Sequence, residues 1–175
     1  MASNTKDPLL MIAKGIVYFM LGVIAFAGIV VAISIPGVLI FGGEFVDAAE
    51  LAAFTGTQRV LTMLLLAGVA GALYLGFRFF IHMLRIVKSV GEGDPFVPAN
   101  ADRLTAMAWI MLAINVIAIP LSGLALYLVE LVGEEPATTE VGVDFGGLVL
   151  ILTLFILARV FRHGTEMRED LEGTV

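Results

Sequence analysis

The residues that could do chemistry in this chain are few. It has two histidines, His82 and His163, and no cysteine. Disulfides, thiol catalysis and thiolate metal sites are therefore excluded, and two imidazoles do not make a zinc site. There is no Ser/His or Asp/Asp pair, no metal-spaced His/Glu cluster and no phosphate-binding glycine loop. We read the chain as not an enzyme, with no catalytic residue, no metal site and no cofactor. His82 stands among cations at helical spacing and reads as a polar-face residue rather than a sensor. Glu44, Asp47 and Glu50 resemble a cation-binding run, but nothing fixes their geometry, and a solvated acidic face is the simpler account. Two polar side chains sit within apolar runs. Asn115 needs an amide partner and should face other helices. Arg159 either snorkels to the interface or pairs inside the protein, and we favour snorkelling.

The elements that must hold these residues follow from composition. Of 175 residues 59% are hydrophobic and 15% charged, with a mean hydropathy of +1.01. A soluble domain carries about 25% charge. The apolar excess falls into four blocks, the mark of membrane-spanning helices rather than one large core. The expected fold is all-α: one integral membrane domain, a four-helix bundle over residues 1–175, with spans at about 15–41, 59–80, 104–129 and 143–162.

Asp7-Pro8 suits a helix start, as N-cap and first-turn proline. Lys14 and Glu44 enclose 29 uncharged residues, enough for a retained first span even if tilted. Ser34 and Pro36-Gly37 should loosen its far end, and residues 46–54 have the spacing of a surface helix. Arg59 and Arg78 enclose 18 uncharged residues, about 27 Å of helix, close to the hydrocarbon thickness. Within that span Gly68, Ala72 and Gly76 form a small-residue groove for another helix, from this chain or, as the alternative, a second copy. The helix should continue to about Val90, with Phe77, Ile81, Leu84 and Val87 as its apolar stripe. Trp109 and Tyr127 mark the ends of the third span, and Pro120 should kink it. The fourth is short, with 14 residues between Asp144 and Arg159, or about 21 Å. Beyond it, Arg162 and Glu166 are spaced for an i,i+4 pair. Val160, Met167 and Leu171 share a face that fits against the second helix.

Orientation follows from the basic residues. Nine of the ten Lys and Arg fall on one side of a four-span arrangement, and Arg59 joins eight acids on the other. The positive-inside rule then puts both termini, the hairpin 91–103 and the tail 163–175 in the cytoplasm, with helices 2 and 4 extended into it.

That hairpin is the sharpest polar feature. Pro95 and Pro98 fix their own φ and push Asp94 and Val97 out of helical conformation. Gly91 and Gly93 allow the preceding helix to stop, and Asn100 suits the N-cap of the next. Asp94, Pro95, Phe96, Pro98, Asn100 and Arg103 are the candidate partner-binding residues.

The run Gly93-Asp-Pro-Phe-Val-Pro-Ala-Asn-Ala-Asp-Arg-Leu104 resembles the signature of an uncharacterised bacterial four-span inner-membrane family, known as a domain of unknown function. Phe145-Gly-Gly-Leu148, Leu157-Ala-Arg-Val-Phe-Arg-His-Gly164 and Met167 to Val175 resemble it too. His163 departs from the pattern, where an acid is commoner. The resemblance implies the bacterial inner membrane and a gene neighbourhood with a small helix-turn-helix regulator. It implies no catalytic residue.

Three functions from different classes are compatible with these features. A regulatory or signalling partner would engage a soluble cytoplasmic protein, such as that regulator, through the hairpin and the two helix extensions. A small transporter or channel subunit is the alternative, although no Asp or Glu lies clearly within a span. An intramembrane enzyme ranks third. Membrane lipid is an expected partner, a homo-oligomer is left open, and direct nucleic-acid binding is not expected.

Overall fold

Four helices and the turn between the second and third account for the described residues of the computed structural model, which are 8–41, 56–132 and 145–172. They are α1 (Pro8–Phe41), α2 (Gly56–Gly91), α3 (Pro98–Val132) and α4 (Phe145–Glu172). All four are long and apolar enough to cross a membrane. The shortest, α4, has 28 residues, about 42 Å against about 30 Å of hydrocarbon. The reason is the one composition gave: long runs without charge satisfy every backbone group internally only as helix. The acidic segments around Glu44 and Glu134, the surface helix expected at 46–54, and Asp7 lie outside the described residues.

Packing follows chain order. Helix α1 lies against α2, α2 against α3, and α3 against α4. The α2 stripe is covered by α1, where Val17, Leu21 and Leu84 are buried among Phe77, Phe80, Ile81 and Met83. A second cluster joins Leu104, Met107 and Ala108 of α3 to Leu154 and Ala158 of α4, with Phe79, Met83 and Ile86 of α2 packed on it.

Two expectations need correcting. Among the described residues α1 and α4 make no packed interface, so the helices form an open row rather than a closed bundle. The apolar face of α4 also does not lie on α2. Val160, Met167 and Leu171 are all more than half exposed, because α1 already covers Leu84 and Ile81 and α4 is held by α3 and the hairpin.

The small-residue groove of α2 faces helices of its own chain, closely at Gly68 and more loosely at Ala72 and Gly76, which line open space. A Cβ on Gly68 would come within 2.3 Å of Leu121 on α3, and one on Gly76 would touch Ile24 of α1. Between these helices an apolar groove of about 500 Å³ remains, lined by Leu65, Val69, Ala72, Ile114, Ala118 and Leu121 among others. Pro36 and Pro120 lie inside α1 and α3, and both helices continue past them.

Candidate functional site

The polar features of the chain converge where α2 turns into α3. Helix α2 ends in a glycine cap: Gly93 takes φ +86°, a conformation glycine adopts without the Cβ penalty. Its N–H donates to the Val90 carbonyl and that of Asp94 to the Ser89 carbonyl, both at 3.1 Å. These are the two bonds of a Schellman motif, and they satisfy carbonyls left open at the helix end. Residues 94–97 are non-helical, as the two prolines require. Helix α3 then begins at Pro98, the first-turn position proline favours.

Asn100 is therefore inside the first turn and is not the N-cap the sequence suggested. It does something more specific. Completely buried, its Nδ2 donates to Ser89 Oγ and to the Pro95 carbonyl, each at 2.8 Å. Its Oδ1 accepts from Arg103 Nη1 at 2.8 Å. Ser89 Oγ passes its own proton to the Ile86 carbonyl at 2.9 Å. One amide thus ties the end of α2, the turn and the start of α3 together, using both donors and its acceptor.

Helix α4 closes over this turn. The Phe96 ring stacks at 5.4 Å on Phe161 and lies over Gly164, where a Cβ would come within 2.8 Å of it. Thr165, itself buried, directs its hydroxyl at the Phe161 and Phe96 carbonyls, at 2.9 and 3.3 Å. Two ion pairs flank the contact, Asp94 with Arg168 and Asp102 with Arg162, the latter at 3.4 Å. Arg162 thus reaches across to α3 instead of pairing along its own helix with Glu166, which instead faces His163 at 3.5 Å.

Of the residues singled out in the sequence, Asp94, Pro95, Phe96, Pro98, Asn100 and Arg103 are all brought together here. Most of their polar atoms are committed within the chain, while Phe96 stays 41% exposed. Asn115 lies well away on α3, half-buried, and donates to the Met111 carbonyl of its own helix at 3.0 Å. Arg159 is exposed on α4. Ser89, Phe161, Gly164 and Thr165 also belong to the site. Gly164-Thr165, two small residues in an otherwise long-side-chain helix end, was the available signal for a close approach.

Chemically this arrangement is a set of hydrogen bonds, two ion pairs and an aromatic contact that join α2, the turn, α3 and α4. Among the described residues no three His, Cys, Asp or Glu side chains group to hold a metal.

Four apolar helices in an open row, joined at one end by a hydrogen-bonded turn, define a multi-pass membrane protein. The chain belongs to the family DUF2975, described as a protein of unknown function, which matches residues 43–175. The match takes in α2, α3 and α4 with the whole Asn100 site and leaves out α1. No curated protein and no solved structure matches the chain.

Proposed function

We propose that this protein is a regulatory membrane partner that engages a soluble cytoplasmic protein, with the Asn100 turn and the ends of α2 and α4 on the cytoplasmic side of a bacterial inner membrane. The observation that carries this reading is the outer face of the α4 end. Met167 and Leu171, one turn apart, are 52% and 73% exposed. They lie eight and twelve residues past Arg159, about 12 and 18 Å further along the helix. A snorkelling Arg159 marks the membrane edge, so these apolar side chains stand in water rather than lipid. The turn holds the helix end rigid, which lowers the ordering cost a partner would otherwise meet. Phe96, 41% exposed, lies over Gly164 of the same helix end. The lopsided distribution of Lys and Arg supports the orientation. The family resemblance, with its helix-turn-helix neighbour, supports the class of partner. The protein itself makes no contact with nucleic acid in this scheme.

The alternative, a small transporter or channel subunit, has less behind it. The groove between α1, α2 and α3 is lined almost wholly by apolar side chains, and ion pathways need polar groups at that depth.

The test is co-purification of the helix-turn-helix regulator with the full-length protein. The double variant Met167→Asp, Leu171→Asp should abolish it while membrane insertion persists, and Pro95→Ala with Phe96→Ala should weaken it by undocking the α4 end. Unchanged recovery of the regulator with the aspartate variant rejects the proposal.

A further inference from the structure

One flank of α2 carries charge that the Asn100 site does not use. Helix α2 spends two faces on its neighbours: Phe77, Phe80, Ile81 and Leu84 meet α1, while Phe79, Met83 and Ile86 meet the α3–α4 cluster. At 100° per residue, Arg78, His82 and Arg85 share a third flank between them. Arg78 and Arg85 are exposed there. Arg103 comes over from α3, its Nη1 3.5 Å from the Arg85 carbonyl. No carboxylate among the described residues pairs with any of the three arginines, although Arg162 and Arg168 nearby in the fold both have one. Beneath them His82 Nδ1 is buried with no hydrogen-bond partner among the described residues. Three guanidiniums without a carboxylate on one flank gain from an anion.

Height identifies the anion. Arg78 closes the uncharged run of α2, so it stands at the hydrocarbon edge. Arg85 is seven residues on, about 10 Å along the helix, which carries the flank through the headgroup layer. A phosphate with several acceptor oxygens suits the forked donors of arginine better than a carboxylate-free aqueous boundary does. Basic flanks between spanning helices at this depth suit anionic lipid headgroups.

We propose that Arg78, Arg85 and Arg103, with His82 beneath them, form a binding site for the phosphate of an anionic phospholipid in the hairpin-side leaflet. Arg78 and Arg85 lie on a different helix from Met167 and Leu171, so the variants that test this site leave the proposed partner surface on α4 unchanged.

The experiment uses the full chain in mild detergent, titrated with phosphatidylglycerol, phosphatidylcholine or inorganic phosphate, and reads bound lipid by native mass spectrometry alongside the unfolding midpoint. Phosphatidylglycerol should bind preferentially and raise the midpoint. Arg78→Gln with Arg85→Gln should weaken its binding about 30-fold, at roughly fivefold per interfacial cation. Arg78→Lys with Arg85→Lys keeps the charge without the forked donors and should bind between the native chain and the glutamine variant, which separates lost charge from lost folding. Equal binding of phosphatidylcholine, or an unchanged affinity in the glutamine variant, overturns the site. Equal protection by inorganic phosphate overturns its assignment to lipid.

Discussion

The hairpin end and the middle of the helix row are built on different physics. At the hairpin end, α2, α3 and α4 are joined by directional contacts: a buried amide with three partners, a buried threonine, two ion pairs and an aromatic stack over glycine. In the middle of the row, α1, α2 and α3 meet around a groove of about 500 Å³ lined almost wholly by apolar side chains. Polar contacts fix one geometry, because misaligned hydrogen bonds leave buried groups unpaired. In lipid, apolar contacts fix little beyond approach distance, because the tails are as apolar as the side chains they would replace. The hairpin end is therefore expected to be rigid and the middle of the row to adjust.

The two asparagines on α3 give the largest test of that contrast. Asn100→Ala removes one hydrogen bond each from Ser89, Arg103 and the Pro95 carbonyl, and should cost about 3 kcal/mol of stability. Asn115→Ala loses one bond within a helix and should cost less than about 1 kcal/mol. Unfolding midpoints in detergent compare them, and equal losses would erase the distinction between the two regions. Next in size is the approach of α2 to α3. Gly68→Ala drives a methyl into Leu121 and should destabilise by about 1–2 kcal/mol. Gly71→Ala, with open space around it, should be neutral or stabilise by up to about 1 kcal/mol. A tolerated Gly68→Ala would show that the middle of the row yields even more readily than its packing suggests.

Smaller effects sharpen the hairpin end. The Asp94–Arg168 pair is partly exposed on both sides, so a double-mutant cycle should return a coupling of about 0.5 kcal/mol. Salt should reduce it. Arg159→Lys should be tolerated and Arg159→Leu should cost less than about 0.5 kcal/mol, since the side chain is exposed and its charge only needs to reach water. A loss several times larger on the lysine change would mean a directional partner for the guanidinium.

How much of this was legible in the sequence varies from residue to residue. The stops at Pro95 and Pro98 and the cap at Gly93 were readable because they act through φ and the missing N–H, which are properties of the residue itself. Asn100 was recognised as a helix-start residue but given the wrong task. Its side chain could cap its own helix or reach back eleven residues to Ser89, and only the docked turn decides between them. Arg162 is a similar case, since Glu166 at i,i+4 and Asp102 on another helix are equally sound partners by type. Val160, Met167 and Leu171 were seen to share a face, yet the pattern does not say which surface a face meets. In the sequence Gly164 is marked only as part of a family-like run and Thr165 is not marked at all, because a small residue gains its meaning from the ring laid over it.

From the sequence alone came the number of crossings, the position of the turn and the absence of thiol chemistry, all of which depend on residue type and local spacing. The open row, the commitment of the hairpin to α4, and the uncovered faces of α2 and α4 depend on which helices become neighbours. That choice is made by contacts between residues distant in sequence, chief among them Phe96 against Gly164 and Leu121 against Gly68, and it could be read only once the helices were placed.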